Sequence, residues 1–335
     1  MSAQAGRSNN LTRLALSVLL LVGAVYVFSH RQQLLDQYTV WRFVPSSEIA
    51  AVSEKASFSD AGEFLFYASQ PELLERDAFN DACRSVIGEN TAILGCYSKD
   101  RIYLFDIDNQ KLSGVKEVTA AHEMLHAAYQ RLSDSEKTRV NALLEAQPLG
   151  EDEARIGELM AEYEKSEPGE RLNELHSIIG SEIRDLTPEL RAYYGKYFDD
   201  RLALVAQAES YQSVFQELES RQGALVTELN ALADTIDDAS TTYRRELQVI
   251  ENDIRVFNQQ ANSGSMTRQD YDTQRASLEA RQRQLRAKYV SIQAQIKLYE
   301  QKRSELAAIN SESNTLNRSI NSSLAPAPET EALDG

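Results

Sequence analysis

Apolar and polar positions divide the chain into four stretches and a tail. Residues 14–28 form an uncharged apolar run. With its flanks Leu11 and Ser29 the run approaches the roughly 20 residues that cross a bilayer as a helix. Arg7, Arg13 and the amino terminus precede it, so residues 1–30 are expected to be a tail and a transmembrane anchor. A cleaved signal peptide is the competing reading. His30 and Arg31, directly after the candidate cleavage site Val27-Phe28-Ser29, favour the anchor. Arg31 and Arg42 on the far side blur its orientation. Residues 31–57, with Trp41 and Pro45, read as a connecting segment.

Over residues 58–200 the period changes from one short stretch to the next. The aromatic run 64–67 suits a strand, and 71–84 has helical spacing through Leu73, Leu74, Phe79 and Ala82. Two apolar runs, 91–97 and 101–106, flank Ser98-Lys99-Asp100 and read as a β-hairpin. Helices are expected over 115–132, 151–164 and 170–186, and from the capping sequence Ser133-Asp134-Ser135-Glu136 through Leu144.

Residues 201–310 then carry a heptad pattern in two arms. Leu218 to Phe257 form one stripe and Leu278 to Ile309 the other, with a break at Asn262-Ser263-Gly264-Ser265 and a restart at Thr267 and Asp270. Such a stripe needs a partner to bury it. The two arms folded on each other give an antiparallel hairpin of roughly 60 Å; a homodimer or another protein is the competing partner. The tail 311–335, rich in Ser, Asn, Pro and Glu, reads as disordered. The expected fold class is α+β, mostly α: a small domain over 58–200, the coiled-coil hairpin, and the N-terminal transmembrane helix.

Composition sharpens this picture. Of 335 residues only 14 are Gly and 7 Pro, which fits a mainly helical chain. A net charge of −16 argues against a nucleic-acid partner, because phosphates attract basic surfaces. No GxxxxGK[ST] or GxGxxG element suggests a nucleotide. The two cysteines, Cys83 and Cys96, stand close enough in sequence to pair in an oxidising compartment, closing a loop worth about 3 kcal/mol; two buried thiols are the other reading. With the anchor, the pairing favours a domain outside the cytoplasm, periplasmic or extracellular.

The candidate chemistry lies in His122-Glu123-Met124-Leu125-His126. On a helix, positions i and i+4 share a face, so both imidazoles can meet one zinc ion. Glu123 beside them would take the proton of the attacking water and pass it to the leaving amine. Ala120, Ala121, Ala127 and Ala128 around the pentad allow close packing in a core. A helix whose two histidines merely satisfy core contacts is the plain alternative.

The pentad resembles that of the zincin metallopeptidases. The likeness is close there and loose over the rest of 58–200. The chain is also similar to anchored bacterial proteins that combine such a domain with a coiled coil. The resemblance implies a peptidase that binds extended polypeptide against an edge strand just before the active-site helix, and 101–106 is placed to be that strand. No HExxHxxGxxH extension follows, since Gln130 and Arg131 stand there. The third ligand is therefore expected from a later helix, as in the gluzincins, which use a glutamate. Glu182 leads, as the one charge on the face of Leu172, Leu175, Ile179 and Leu186, with Gly180 and Ser181 permitting close approach. Glu174 is its rival, because Asn173-Glu174-Leu175-His176-Ser177 resembles the NExxS stretch of thermolysin-like enzymes, and His176 is a third option by ligand chemistry. Tyr193, Tyr194 or Tyr197 offers a hydroxyl to an oxyanion, or serves packing alone. The expected function is a membrane-anchored zinc endopeptidase. The alternative is a non-catalytic coiled-coil scaffold carrying a degenerate peptidase domain.

Overall fold

The structure is a computed structural model and describes residues 5–84, 93–166 and 169–322. It is mostly helical, with one small sheet and two long C-terminal helices. The chain clusters into two compact units. One holds the residues up to Ser213 and the chain from Leu316; the other is Val214–Thr315.

In the first unit, α1 (Ala5–Ser29) and α2 (Arg31–Arg42) are separated by His30 alone. Among the described residues no single helix is long and apolar enough to cross a membrane. The segment Arg13–Ser29 and α2 meet that requirement only together, as a pair bent by 69°. The stretch 31–57, expected to be a connection, is instead two helices. On α2, Asp36 is buried; on α3 (Ser47–Lys55), Ile49 and Val52 enter the core.

α4 (Asp60–Ala68) covers the run expected as a strand. Ser59 caps it by accepting the Gly62 N–H, and Asp60 and Glu63 fill its first turn. Tertiary packing decides here: Gly62 lies so close to the Tyr197 carbonyl that a Cβ would stand 2.1 Å from its oxygen. The helix expected over 71–84 is divided into β1 (Glu72–Leu74) and α5 (Arg76–Ala82). Gln70 takes a left-handed conformation and turns the chain, and β1 pairs in parallel with a strand thirty residues away.

That strand is β3 (Arg101–Phe105), joined to β2 (Gly95–Ser98) as the expected hairpin. Lys99 and Asp100 both have positive φ, the twist that a two-residue hairpin turn requires. The sheet order is β1-β3-β2. So β3 is central and is not the edge strand; among the described residues β2 holds that edge. The disulfide Cys83–Cys96 fastens β2 to the end of α5, with both cysteines buried.

α6 (Val115–Gln130) runs under the sheet and carries the pentad. α7 (Asp134–Glu145) starts with the expected capping box between Ser133 and Glu136. α9 (Arg171–Ser181) packs against α6, with α8 (Glu153–Ser166) on α9 and α10 (Pro188–Tyr194) on α7. At Gly180 a Cβ would meet Leu125 at 2.4 Å and the Tyr194 ring at 2.6 Å, so glycine there permits the close crossing of α9 and α6.

α11 (Arg201–Asn262) and α12 (Arg268–Ile320) form the heptad hairpin. Within the second unit, Arg221 pairs with Glu305, Lys302 with Glu228, Lys288 with Glu246 and Arg281 with Asp253, while Tyr243 meets Tyr289 and Phe257 meets Tyr271. Partners rise along one arm as they fall along the other, so the arms bury each other's stripes antiparallel. The tail expected to be disordered from 311 is helical to Ile320. Leu316 is buried, Arg76 bonds the Asn321 and Arg318 carbonyls, and Asn80 donates to Ser322 at 2.9 Å. Residues 323–335 lie outside the described residues.

A buried ion pair joins α2 to the helix that carries the pentad. Arg131, at the C-cap of α6, donates from Nε and Nη2 to both oxygens of Asp36 at 2.8 Å. It also donates to the Ala127 carbonyl at 2.9 Å and to the Tyr97 hydroxyl at 3.1 Å. Removing one partner strands a buried charge. Asp36→Ala is expected to lower stability by about 3 kcal/mol in urea denaturation, and Asp36→Ala with Arg131→Met to regain part of that loss.

Candidate metal centre

His122 and His126 come from successive turns of α6, and Glu174 comes from α9 where it crosses them. Glu174 Oε1 lies 3.3 Å from His122 Nε2, and its Oε2 lies 3.3 Å from His126 Nε2. The two Nε2 atoms are 3.0 Å apart. Ligands at ordinary zinc distances on a tetrahedron stand about 3.3 Å from one another, which each of these pairwise separations approaches. These three side chains form a group that could hold a metal ion. All are largely shielded, with 17%, 14% and 8% of the side chains exposed.

The surroundings orient the donors. Asn173 Oδ1 accepts the His126 Nδ1–H at 3.0 Å, which turns Nε2 toward Glu174 and His122. Glu170 in turn accepts from Asn173 Nδ2 at 3.0 Å. Burial works to lower both histidine pKa values, and Glu174 outweighs it: His122 is raised, and His126 is raised to about 9. Burial favours the neutral form of Glu174, yet the two imidazoles hold it well below the usual carboxylate range.

Glu123 sits beside this group and is buried. Burial raises its carboxyl above the ordinary value, against the pull of both histidines and of the Tyr97 backbone N–H that bonds it. A Cβ on Gly95 would lie 2.8 Å from the Glu123 carboxylate and 2.6 Å from Thr119. Glycine there lets β2 lie directly over α6. A cleft of about 570 Å³ opens on the group, with β2, Tyr129, Lys137 and Tyr163 in its walls. Burial pushes the Tyr97 phenol up to about 12, so it stays protonated and donates to Asp100 at 3.0 Å.

The structure thus brings together His122, Glu123 and His126 as expected, and Glu174 instead of Glu182. α9 ends at Ser181, and Glu182 is its C-cap with φ −121°, off the helical face on which it was placed. Its Oε2 accepts from Arg155 Nη1 at 3.0 Å and from Gln212 Nε2 at 2.9 Å. His176 is fully buried behind the site, with Nε2 2.9 Å from the Tyr193 hydroxyl. Burial and the charges of His126 and His122 lower it to about 3, so it is neutral. Tyr193 and Tyr194 hold His176, the latter by donating to its carbonyl at 2.8 Å, and Tyr197 meets the Tyr193 ring edge to face. None of the three lines the cleft. Of the tyrosines that do, Tyr129 lies three residues after His126, on the same face, which the helical period alone could have shown. Comparison with protein-family models, curated proteins and solved structures finds no match to this chain.

Two outcomes follow from the donor geometry. Glu174→Gln is expected to lose the metal through gel filtration while Glu182→Gln keeps one equivalent, measured by elemental analysis; the reverse would return Glu182 to the site. A metal also competes with the histidine protons. His126 holds its proton below about pH 9, so metal affinity is expected to fall as pH is lowered and to rise toward pH 9. Calorimetry in buffers of different ionisation enthalpy should register proton release on binding near neutral pH, and a pH-independent affinity would contradict the assignment.

Proposed function

We propose that the chain is a zinc-dependent endopeptidase held at a membrane by α1. The reading is carried by Glu174 closing on His122 and His126 with Glu123 beside them in a walled cleft. Two imidazole nitrogens and one carboxylate, with the cleft on the open side, is a donor set suited to zinc in a catalytic role. Zinc, when bound, supplies a Lewis acid that polarises a carbonyl and makes water acidic near neutral pH.

The chain's own residues supply the rest. Glu123, with its carboxyl raised by burial, takes the proton from the attacking water and returns it to the leaving amine. The Tyr97 N–H and the close backbone at Gly95 fix that carboxylate. β2 offers its outer edge to an extended peptide, which adds as a further strand. The resemblance to the zincins is supported by this edge strand above the helix, with β2 in the part first given to residues 101–106. The Cys83–Cys96 disulfide supports a domain facing an oxidising compartment outside the cytoplasm. The hairpin recruits a protein partner.

Chelator-sensitive cleavage of casein by the purified full-length protein is the test. Glu123→Gln is expected to lower the rate at least about a hundredfold while retaining zinc. Absence of both zinc and cleavage in the wild type would favour a scaffold in which the hairpin does the work.

A further inference from the structure

α2 carries two unlike faces. Leu34, Tyr38 and Trp41 follow one another at spacings of four and three, so they form one stripe. All three are exposed, Trp41 at 79%, and Val44 just beyond the helix at 86%. Asp36 lies on the opposite side, buried and gripped at both oxygens by Arg131. Thr39 and Val40 are half-buried on that inner side. The grip fixes the rotation of α2, so the stripe has no route into the core of its own domain.

We propose that α2 lies flat in the headgroup region of the bilayer that α1 crosses, with Leu34, Tyr38 and Trp41 turned into the lipid. The proposal rests on the reading of α1 as the anchor. Three observations choose lipid as the occupant. The stripe continues directly from the apolar surface of α1, whose Leu19, Leu21 and Phe28 are exposed. The 69° bend lays α2 nearly along a surface that α1 crosses upright. Arg31 and Arg42 flank the stripe; Arg42 Nη1 donates to the Tyr38 hydroxyl at 3.0 Å, and Arg31 lies over the Phe28 ring. Tyrosine and tryptophan rings favour the interface, and arginines beside them attract anionic headgroups. The cleft is then close to the bilayer, because Arg131 holds both Asp36 and the Tyr97 side chain of the cleft wall.

Trp41 is the single tryptophan of the chain, so its emission reports on α2 alone. The full-length protein is reconstituted in vesicles of equal parts phosphatidylcholine and phosphatidylglycerol, with bromine on the upper acyl carbons of the phosphatidylcholine. The expected result is a blue-shifted Trp41 emission, strong quenching by the brominated lipid, and several-fold weaker quenching by aqueous iodide than for a free tryptophan analogue. Leu34→Glu combined with Tyr38→Glu is expected to reverse both quenching results while flotation with the vesicles, carried by α1, is unchanged. Protein that floats while Trp41 stays open to iodide and untouched by bromine overturns the proposal and leaves the anchor standing. Shielding from both quenchers also overturns it, because a protein then covers the stripe. Protein that does not float overturns the anchor and the proposal together.

Discussion

Charge is expensive to bury, and the crossing of α6 and α9 buries four ionisable groups at one point: His122, Glu123, His126 and Glu174. They are tolerable there because Glu174 meets both imidazoles at 3.3 Å and the Tyr97 backbone N–H bonds Glu123. Much of the domain serves this crossing. Alanines on α6 and Gly180 on α9 bring the helices together. The tyrosine cluster around His176 backs α9, and Asn173 with Glu170 turns His126 toward the centre. A cation entering this group would displace the imidazole protons and take their place beside Glu174.

The local parts of this arrangement were legible in the sequence, and the distant parts were legible only where a local signal stood in for them. His122 and His126 share a face by helical period alone. Glu174 required knowing where α9 ends. Glu182 shares the apolar face only on a helix that runs to residue 186; the end of α9 at Ser181 swings its side chain toward Arg155. The motif around Asn173 held the better signal, since it contains both the carboxylate that joins the two histidines and the residue that orients His126. The run at 64–67 was ambiguous because four consecutive apolar residues suit a buried helix as well as a strand. The central place of β3 depended on β1, a pairing between residues 72–74 and 103–105 that no local pattern reveals.

The heptad arms were plain from their stripes, and the register of their charged pairs follows from folding at residues 263–267. The end of the second arm was less plain. Composition after Ser311 is polar, yet Leu316 and the carbonyls taken by Arg76 and Asn80 hold the chain to α5. The hairpin is therefore inserted within the first unit, which the chain leaves and re-enters, and is not appended to its end.

The Asp36–Arg131 pair has a mechanical meaning. One residue, His30, separates α1 from α2, and α2 is bolted by that pair to the last turn of the helix bearing both histidines. A shift of α2 would pass to α6 and reach the Tyr97 edge of the cleft through the same guanidinium.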